Sequence, residues 1–123
     1  MAKTKWPKLP HYLIPLFQCA HVYLCRSREE WNQACNYLGC NTGEIGMLAG
    51  ATQTYQNVEQ QENLYLLGVF NGEVATLVHE CAHIAFYVCR DTGVTVDTEG
   101  ANETYCYLLD RMFTEFLPLI KQD

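Results

Sequence analysis

A long apolar segment, residues 73–90, sets the main requirement on the fold, because only one charged residue, Glu80, lies between its ends. Asn71 is a candidate N-cap and Gly93 a candidate C-cap, so the pattern predicts a helix over residues 72–90. A helix that is apolar on nearly every side must be covered by the rest of its domain. A chain of 123 residues has room for one such domain and for no large second one.

Three strand-like runs predict the sheet that covers this helix. They span residues 17–25, 46–56 and 63–70, and the polar link 57–62 predicts a hairpin between the last two. The predicted fold class is therefore α+β, a small and mostly antiparallel sheet packed on the long helix and on a C-terminal helix.

Two further helices complete a predicted β-α-β-β-α-α order. The first follows Ser27, which has capping-box spacing to a glutamate, and it ends at Gly39. The second is capped by Asp97 or Thr98 and reaches about Leu117, because a proline follows. Apolar residues at helical spacing are expected in the core: Trp31, Ala34, Cys35 and Leu38 in the first helix, and Leu108, Met112, Phe116 and Leu119 in the second.

The N-terminal end differs in composition from the rest. Residues 1–16 contain three of the four prolines and are predicted to form a Pro-rich arm, whereas residues 17–123 form the single domain. The short apolar stretch at residues 12–17 does not fit a signal peptide, and no run approaches the roughly 20 apolar residues of a membrane helix. We therefore expect a cytosolic protein, bacterial or in a phage-infected host, with no membrane partner.

Charge and cysteine content narrow the function classes further. The net charge of -6 disfavours nucleic acid as the main partner. Seven cysteines cannot all pair with one another and indicate a reducing compartment, with the thiols acting mainly as small apolar core residues. A four-thiolate zinc site is a weaker interpretation, since the gaps of five, nine and four residues lack tight knuckle spacing; its members would be Cys19, Cys25, Cys35 and Cys40.

The chemically informative pattern is H-E-x-x-H at residues 79–83. Residues His79 and His83 are four apart, so on a helix both imidazoles project from one face and can bind one zinc ion. Glu80 is rotated by about 100° from His79 and can act on water without binding the metal. With 4 histidines in the chain, chance produces about 0.01 such patterns.

A zinc site with an open position needs a third protein ligand. The last predicted helix offers Glu99, Glu103, Asp110 and Glu115. Glu103 is favoured because it lies twenty residues after His83, which leaves room for an antiparallel return, and about one turn from the apolar stripe. Its alternative role is that of a first-turn carboxylate stabilised by the helix dipole.

The residues around the pattern, 76–85 (TLVHECAHIA), resemble the extended signature of zincin metallopeptidases, and Glu103 after Asn102 resembles the third ligand of the gluzincin subgroup. The chain is also similar to small phage- or prophage-encoded metallopeptidases, and more loosely to SprT-like and ImmA/IrrE-type minimal zincins. The resemblance implies one zinc ion held by His79, His83 and Glu103, with Glu80 as general base. It also implies an edge strand that pairs with an extended peptide or protein substrate.

The sequence departs from two related patterns. The glycine and third histidine of metzincins do not follow His83, and the upstream cysteines lack the local pattern of peptide deformylases. Candidate transition-state stabilisers are Tyr105, Tyr107 and Arg111, and Asp110 is a candidate partner for a ligand histidine.

The predicted function is zinc-dependent hydrolysis of peptide bonds, in which Glu80 takes a proton from water and passes it to the leaving amine. The alternative is a zinc-stabilised accessory protein that binds a host partner without catalysis. Retention of Glu80 favours the enzyme, because a purely structural zinc site does not need a general base.

Overall fold

A four-stranded mixed sheet forms the centre of the structure, a computed structural model that describes residues 5–16, 18, 20–40, 45–57, 62–100 and 102–120. The sheet order is β1-β2-β4-β3, for strands β1 (His11–Ile14), β2 (Ala20–Cys25), β3 (Gly50–Asn57) and β4 (Glu62–Val69). The central pair, β2 and β4, is parallel, and both outer pairs are antiparallel. β1 and β3 are therefore the two edges of the sheet.

Three helices cover the two faces of this sheet. They are α1 (Arg28–Leu38), α2 (Val74–Thr92) and α3 (Glu103–Phe116), and a 3₁₀ turn (Leu117–Leu119) follows α3. The core on one face contains apolar residues of α2 and α3, and the smaller core on the other face contains those of α1. The predicted α+β class is confirmed. None of the helices in the described ranges has the length and apolar composition that a bilayer crossing demands.

The predicted hairpin and the first predicted helix are confirmed. β3 and β4 are consecutive and pair antiparallel, although residues 58–61 of their link lie outside the described residues. The Ser27 hydroxyl accepts a hydrogen bond from the Glu30 amide at 3.1 Å, and Gly39 ends α1 with φ +72°. The Glu30 carboxylate instead accepts from the Arg26 amide at 2.7 Å, one residue before the position that a capping box predicts.

Two helix starts were predicted too early. α2 begins at Val74, because the Asn71 side chain accepts a hydrogen bond from the Glu73 amide at 3.1 Å and forms a turn ahead of the helix. α3 begins at Glu103, because the Asp97 carboxylate accepts from the amides of residues 99 and 100 and closes a loop there. Local side-chain bonds to the backbone compete with helix formation at both places.

The end of the chain also departs from the predicted stripe. Leu108, Met112 and Phe116 are buried as predicted, but Leu119 is exposed and Ile120 is buried in its place. The α-helix stops at Phe116, and the 3₁₀ turn that follows has three residues per turn, which changes the direction of the next side chains.

The N-terminal segment contributes a strand that the sequence pattern did not predict. Residues 11–14 lie within the predicted Pro-rich arm, yet they form β1 and pair with β2 in register, with His11 opposite Tyr23 and Ile14 opposite Ala20. Ile14 is 1% exposed and belongs to the main core. The sheet therefore has four strands where the sequence indicated three.

Most described cysteines are core residues, as predicted. Cys25, Cys35, Cys81 and Cys89 are buried free thiols, and burial raises the pKa of Cys81 to about 12. Cys106 contradicts the prediction because it is exposed: it lies two residues before Leu108, on the opposite side of α3 from the apolar stripe. Cys19 of the alternative zinc site lies outside the described residues.

A hydrogen bond between β4 and the end of α2 yields a stability prediction. The Tyr65 hydroxyl donates to Oδ2 of Asp91 at 2.7 Å, and Tyr65 is buried. Tyr65→Phe leaves the carboxylate without this donor, so we expect the free energy of unfolding to fall by about 1–3 kcal/mol in urea titrations. Tyr37→Phe, at a 55% exposed position, is the matched control and should change it by less than about 0.5 kcal/mol. Equal effects of the two changes would contradict the described bond.

Candidate metal centre and its groove

The two histidines of H-E-x-x-H face each other on the surface of α2. Their Nε2 atoms are 3.3 Å apart, and the rings are nearly perpendicular with centroids 4.9 Å apart. Two imidazoles bound to one tetrahedral zinc ion, with Zn–N bonds of about 2.0–2.1 Å, place their nitrogens about 3.3–3.4 Å apart. The spacing of His79 and His83 therefore fits two adjacent ligand positions of a zinc ion.

Glu80 lies on the other side of the same turn and is buried. It is 7% exposed, and its Oε2 is 3.9 Å from Nε2 of His79, beyond hydrogen-bond distance. Burial raises the pKa of the Glu80 carboxyl, an effect that His79 and His83 partly oppose. The carboxylate is thus next to the histidine pair and separate from it, the arrangement expected of a proton acceptor.

The surroundings of α2 differ from the sequence-based expectation of a helix buried on all sides. One face is buried in the main core, but both histidines are exposed, and so are Val74, Val78 and Phe86. Among the described elements, the sheet and α3 make the main contacts with α2, and an apolar strip beside the histidines remains at the surface. Hydropathy alone does not distinguish such a strip from a core-facing one.

Gly50, the first residue of edge strand β3, allows the sheet to approach α2 beside Glu80. A Cβ atom at this position would lie 2.6 Å from the Thr76 methyl carbon and 3.1 Å from Cγ of Glu80. A cavity of about 340 Å³ lies at this approach. It is lined by His79 and Glu80 as well as by Gly50 and Thr76. Sequence reasoning missed Gly50, since a glycine inside a strand-like run indicates close backbone approach without naming the neighbour.

Arg28 holds the loop that leads into β3. Its guanidinium donates to the carbonyl oxygens of Gly46 at 2.7 Å and Leu48 at 2.6 Å, and lies 5.3 Å from the centroid of the Phe70 ring. The start of α1 is thereby connected to the strand that borders the cavity.

Glu103 occupies the first position of α3 and is exposed. Within the described ranges, no three His, Cys, Asp or Glu side chains are grouped so that they could hold a metal ion. The structure thus brings His79 and His83 together with Glu80 beside them, and it does not add Glu103 to that group. The assignment of Glu103 as third ligand stays a prediction.

The candidate transition-state stabilisers lie on α3, away from the cavity at Glu80. The Tyr105 hydroxyl donates to the Ala82 carbonyl at 3.4 Å, and its ring packs on Phe86 with centroids 4.5 Å apart. Tyr107 and Arg111 line a different cavity, next to β1. Asp110 contacts Thr114 on its own helix at 3.5 Å.

A tyrosine that the sequence reasoning did not select lies next to the histidine pair. The Tyr87 ring is stacked on that of His83, with centroids 6.3 Å apart and an angle of 16° between the planes. The i, i+4 spacing on α2 was the available signal, because residues four apart share a helix face.

Comparison with models of protein families, with curated proteins and with solved structures found no match to this chain. The resemblance to zincins therefore depends on the residues of this chain alone.

The close approach of β3 to α2 at Gly50 can be tested with the substitution Gly50→Ala, which adds a Cβ atom. Gly50→Ala places a Cβ against the Gly68 carbonyl oxygen at 2.6 Å as well as against Thr76, so β3 and α2 must separate. We expect the free energy of unfolding to fall by about 1–3 kcal/mol, measured by urea titration. Gly100→Ala is the control, because its nearest new contact is an ordinary 3.4 Å to Asp97. A Gly50→Ala protein as stable as the control would contradict the described contact.

Proposed function

We propose that this protein is a zinc-dependent metallopeptidase. The observation that carries the proposal is the 3.3 Å spacing of the facing Nε2 atoms of His79 and His83, with the buried Glu80 carboxylate beside them. The edge strand β3 supports a peptide substrate, because its outer backbone groups pair with no other strand among the described residues.

The proposed hydrolysis assigns roles to four residues of this chain. His79 and His83 would hold the ion, with Glu103 as the candidate third ligand. When bound, zinc polarises the scissile carbonyl and makes water a stronger acid. Glu80 accepts a proton from the attacking water and delivers it to the leaving amine. Burial raises the pKa of this carboxyl in the metal-free protein, and His79 and His83 partly oppose the shift.

The proposed zinc site leads to a prediction about metal content. Purified protein should bind about one zinc ion per chain, and His79→Ala or His83→Ala should lose it, because a single imidazole is a poor site. Elemental analysis after dialysis against trace zinc measures the change. His11→Ala is the control: His11 bonds His21 at 2.9 Å on the other side of the sheet, and its removal should leave the zinc content intact. Zinc-free wild type would contradict the proposed ion.

The proposed role of Glu80 as general base leads to a prediction about activity. Glu80→Gln should keep zinc but lose peptide hydrolysis by about 10²–10⁴-fold, since the amide has a similar shape and cannot accept the proton. Cleavage of a randomised peptide library, followed by mass spectrometry, measures the loss. Equal cleavage by the wild type and Glu80→Gln would contradict the role of Glu80.

One observation favours the alternative of a zinc-stabilised binding protein. Val74, Val78 and Phe86 are exposed around the histidine pair, and His79 itself is 68% exposed, so this face of α2 is open. Apolar surface beside a polar site is typical of a partner interface. Stoichiometric zinc without hydrolysis in the wild type would select this second function.

A further inference from the structure

A second cavity lies farther along the boundary between β3 and α2, which we call the groove. This cavity has a volume of about 250 Å³ and polar walls. The first cavity lies at Gly50 and the second beside Thr52 and Thr54, so α2 and β3 run in the same direction along the groove. Gly50, Thr52 and Thr54 alternate along the strand and therefore share the face turned toward α2.

Arg90 is the positively charged residue that lines this second cavity, and Asp91 holds its guanidinium in position. Its Nε donates to Oδ1 of Asp91 at 2.8 Å, and its Nη2 lies 3.4 Å from Oδ2. Asp91 is 6% exposed and also accepts the Tyr65 hydroxyl. The guanidinium carbon lies 5.0 Å from the centroid of the Tyr87 ring.

These contacts leave other guanidinium N–H groups without an acceptor among the described residues. An arginine has five N–H donors, and Asp91 engages those on Nε and Nη2 only. The Arg90 side chain is 58% exposed and lines the second cavity, so its remaining donors are accessible to a ligand there. A preoriented guanidinium with free donors is suited to a carboxylate.

The distance along α2 from the histidine pair to Arg90 indicates how far from the scissile bond a substrate carboxylate at Arg90 would lie. Arg90 follows His83 by seven residues, which is about 10.5 Å along a helix. An extended peptide advances about 3.3 Å per residue, so that distance corresponds to about three residues of a bound substrate.

We propose that Arg90 is a specificity-determining residue that selects peptide substrates with a carboxylate about three residues from the scissile bond. The inference rests on the proposed peptidase function. Among the described residues that line the two cavities, Arg90 is the one Lys or Arg, whereas the whole chain has a net charge of -6. We therefore expect the preference for an acidic substrate residue to arise at Arg90 and not from the overall charge of the protein. The carboxylate comes from an Asp or Glu side chain or from the C-terminus of the peptide.

The test is cleavage of two randomised decapeptide libraries by the zinc-loaded protein, one with free and one with amidated C-termini. Mass spectrometry of the products gives the residue frequencies around each cleaved bond. We expect Asp and Glu to be enriched about two- to fivefold at the third residue on one side, consistent with a partly exposed ion pair. A preference restricted to cleavage three residues from a free C-terminus identifies the terminal carboxylate as the group recognised.

Matched variants separate recognition from folding. Arg90→Lys should keep a weaker preference, Arg90→Gln should abolish it, and Arg90→Glu should reverse it toward Lys and Arg. Lys8→Glu makes the same charge reversal at an exposed position of the N-terminal segment, and its profile should match the wild type. A reversed preference cannot arise from a loss of stability, which lowers the cleavage of all substrates alike.

Two results would overturn the inference, and they are distinguishable. Cleavage that depends on Glu80 but has the same profile in wild type and Arg90→Glu removes the role of Arg90 and leaves the peptidase function in place. Absence of cleavage by zinc-loaded wild type removes both proposals.

Discussion

The approach of β3 to α2 at Gly50 is the contact on which the groove depends. Because Gly50 has no Cβ, the edge of the sheet reaches the Thr76 methyl group and the stem of Glu80. Glu80 is buried next to this contact, whereas His79, one residue before it, and His83, one turn after His79, are exposed. Where the sheet edge approaches α2, the helix therefore carries a buried carboxylate on one side and an exposed imidazole pair on another.

The burial of Glu80 opposes the charged form of its carboxyl group. A carboxylate removed from water costs free energy, and the raised pKa of Glu80 expresses that cost. The nearest opposite charges would be the imidazoles, and Oε2 is 3.9 Å from the closer one. Proton transfer in the proposed hydrolysis supplies a reason for such a group, because a stronger base at neutral pH is an advantage there. Arg90 shows the opposite arrangement: it pairs with Asp91, whose side chain is 6% exposed, and its own side chain remains at the surface.

Sequence reasoning succeeded where the cause was local. Ser27 bonds the amide three residues on, and Gly39 and Gly93 adopt the left-handed conformation that ends a helix, so each boundary was encoded within a few residues. It failed where a partner distant in sequence decided the outcome. β1 is a strand because β2 lies beside it, and Val78 and Phe86 are exposed because no helix or strand in the described ranges covers that side of α2.

By itself, the sequence determined the α+β class, the helix that bears H-E-x-x-H and the shared face of His79 and His83, since each follows from periodicity over a few turns. Only the tertiary structure decided that Glu80 is buried and the histidines are exposed, and that Gly50 lies next to Glu80. It also decided that Arg90 lines a cavity with Thr52 and Thr54 of β3. These relations join segments more than ten residues apart. They arise from the order in which strands and helices pack, which periodicity within one segment does not specify.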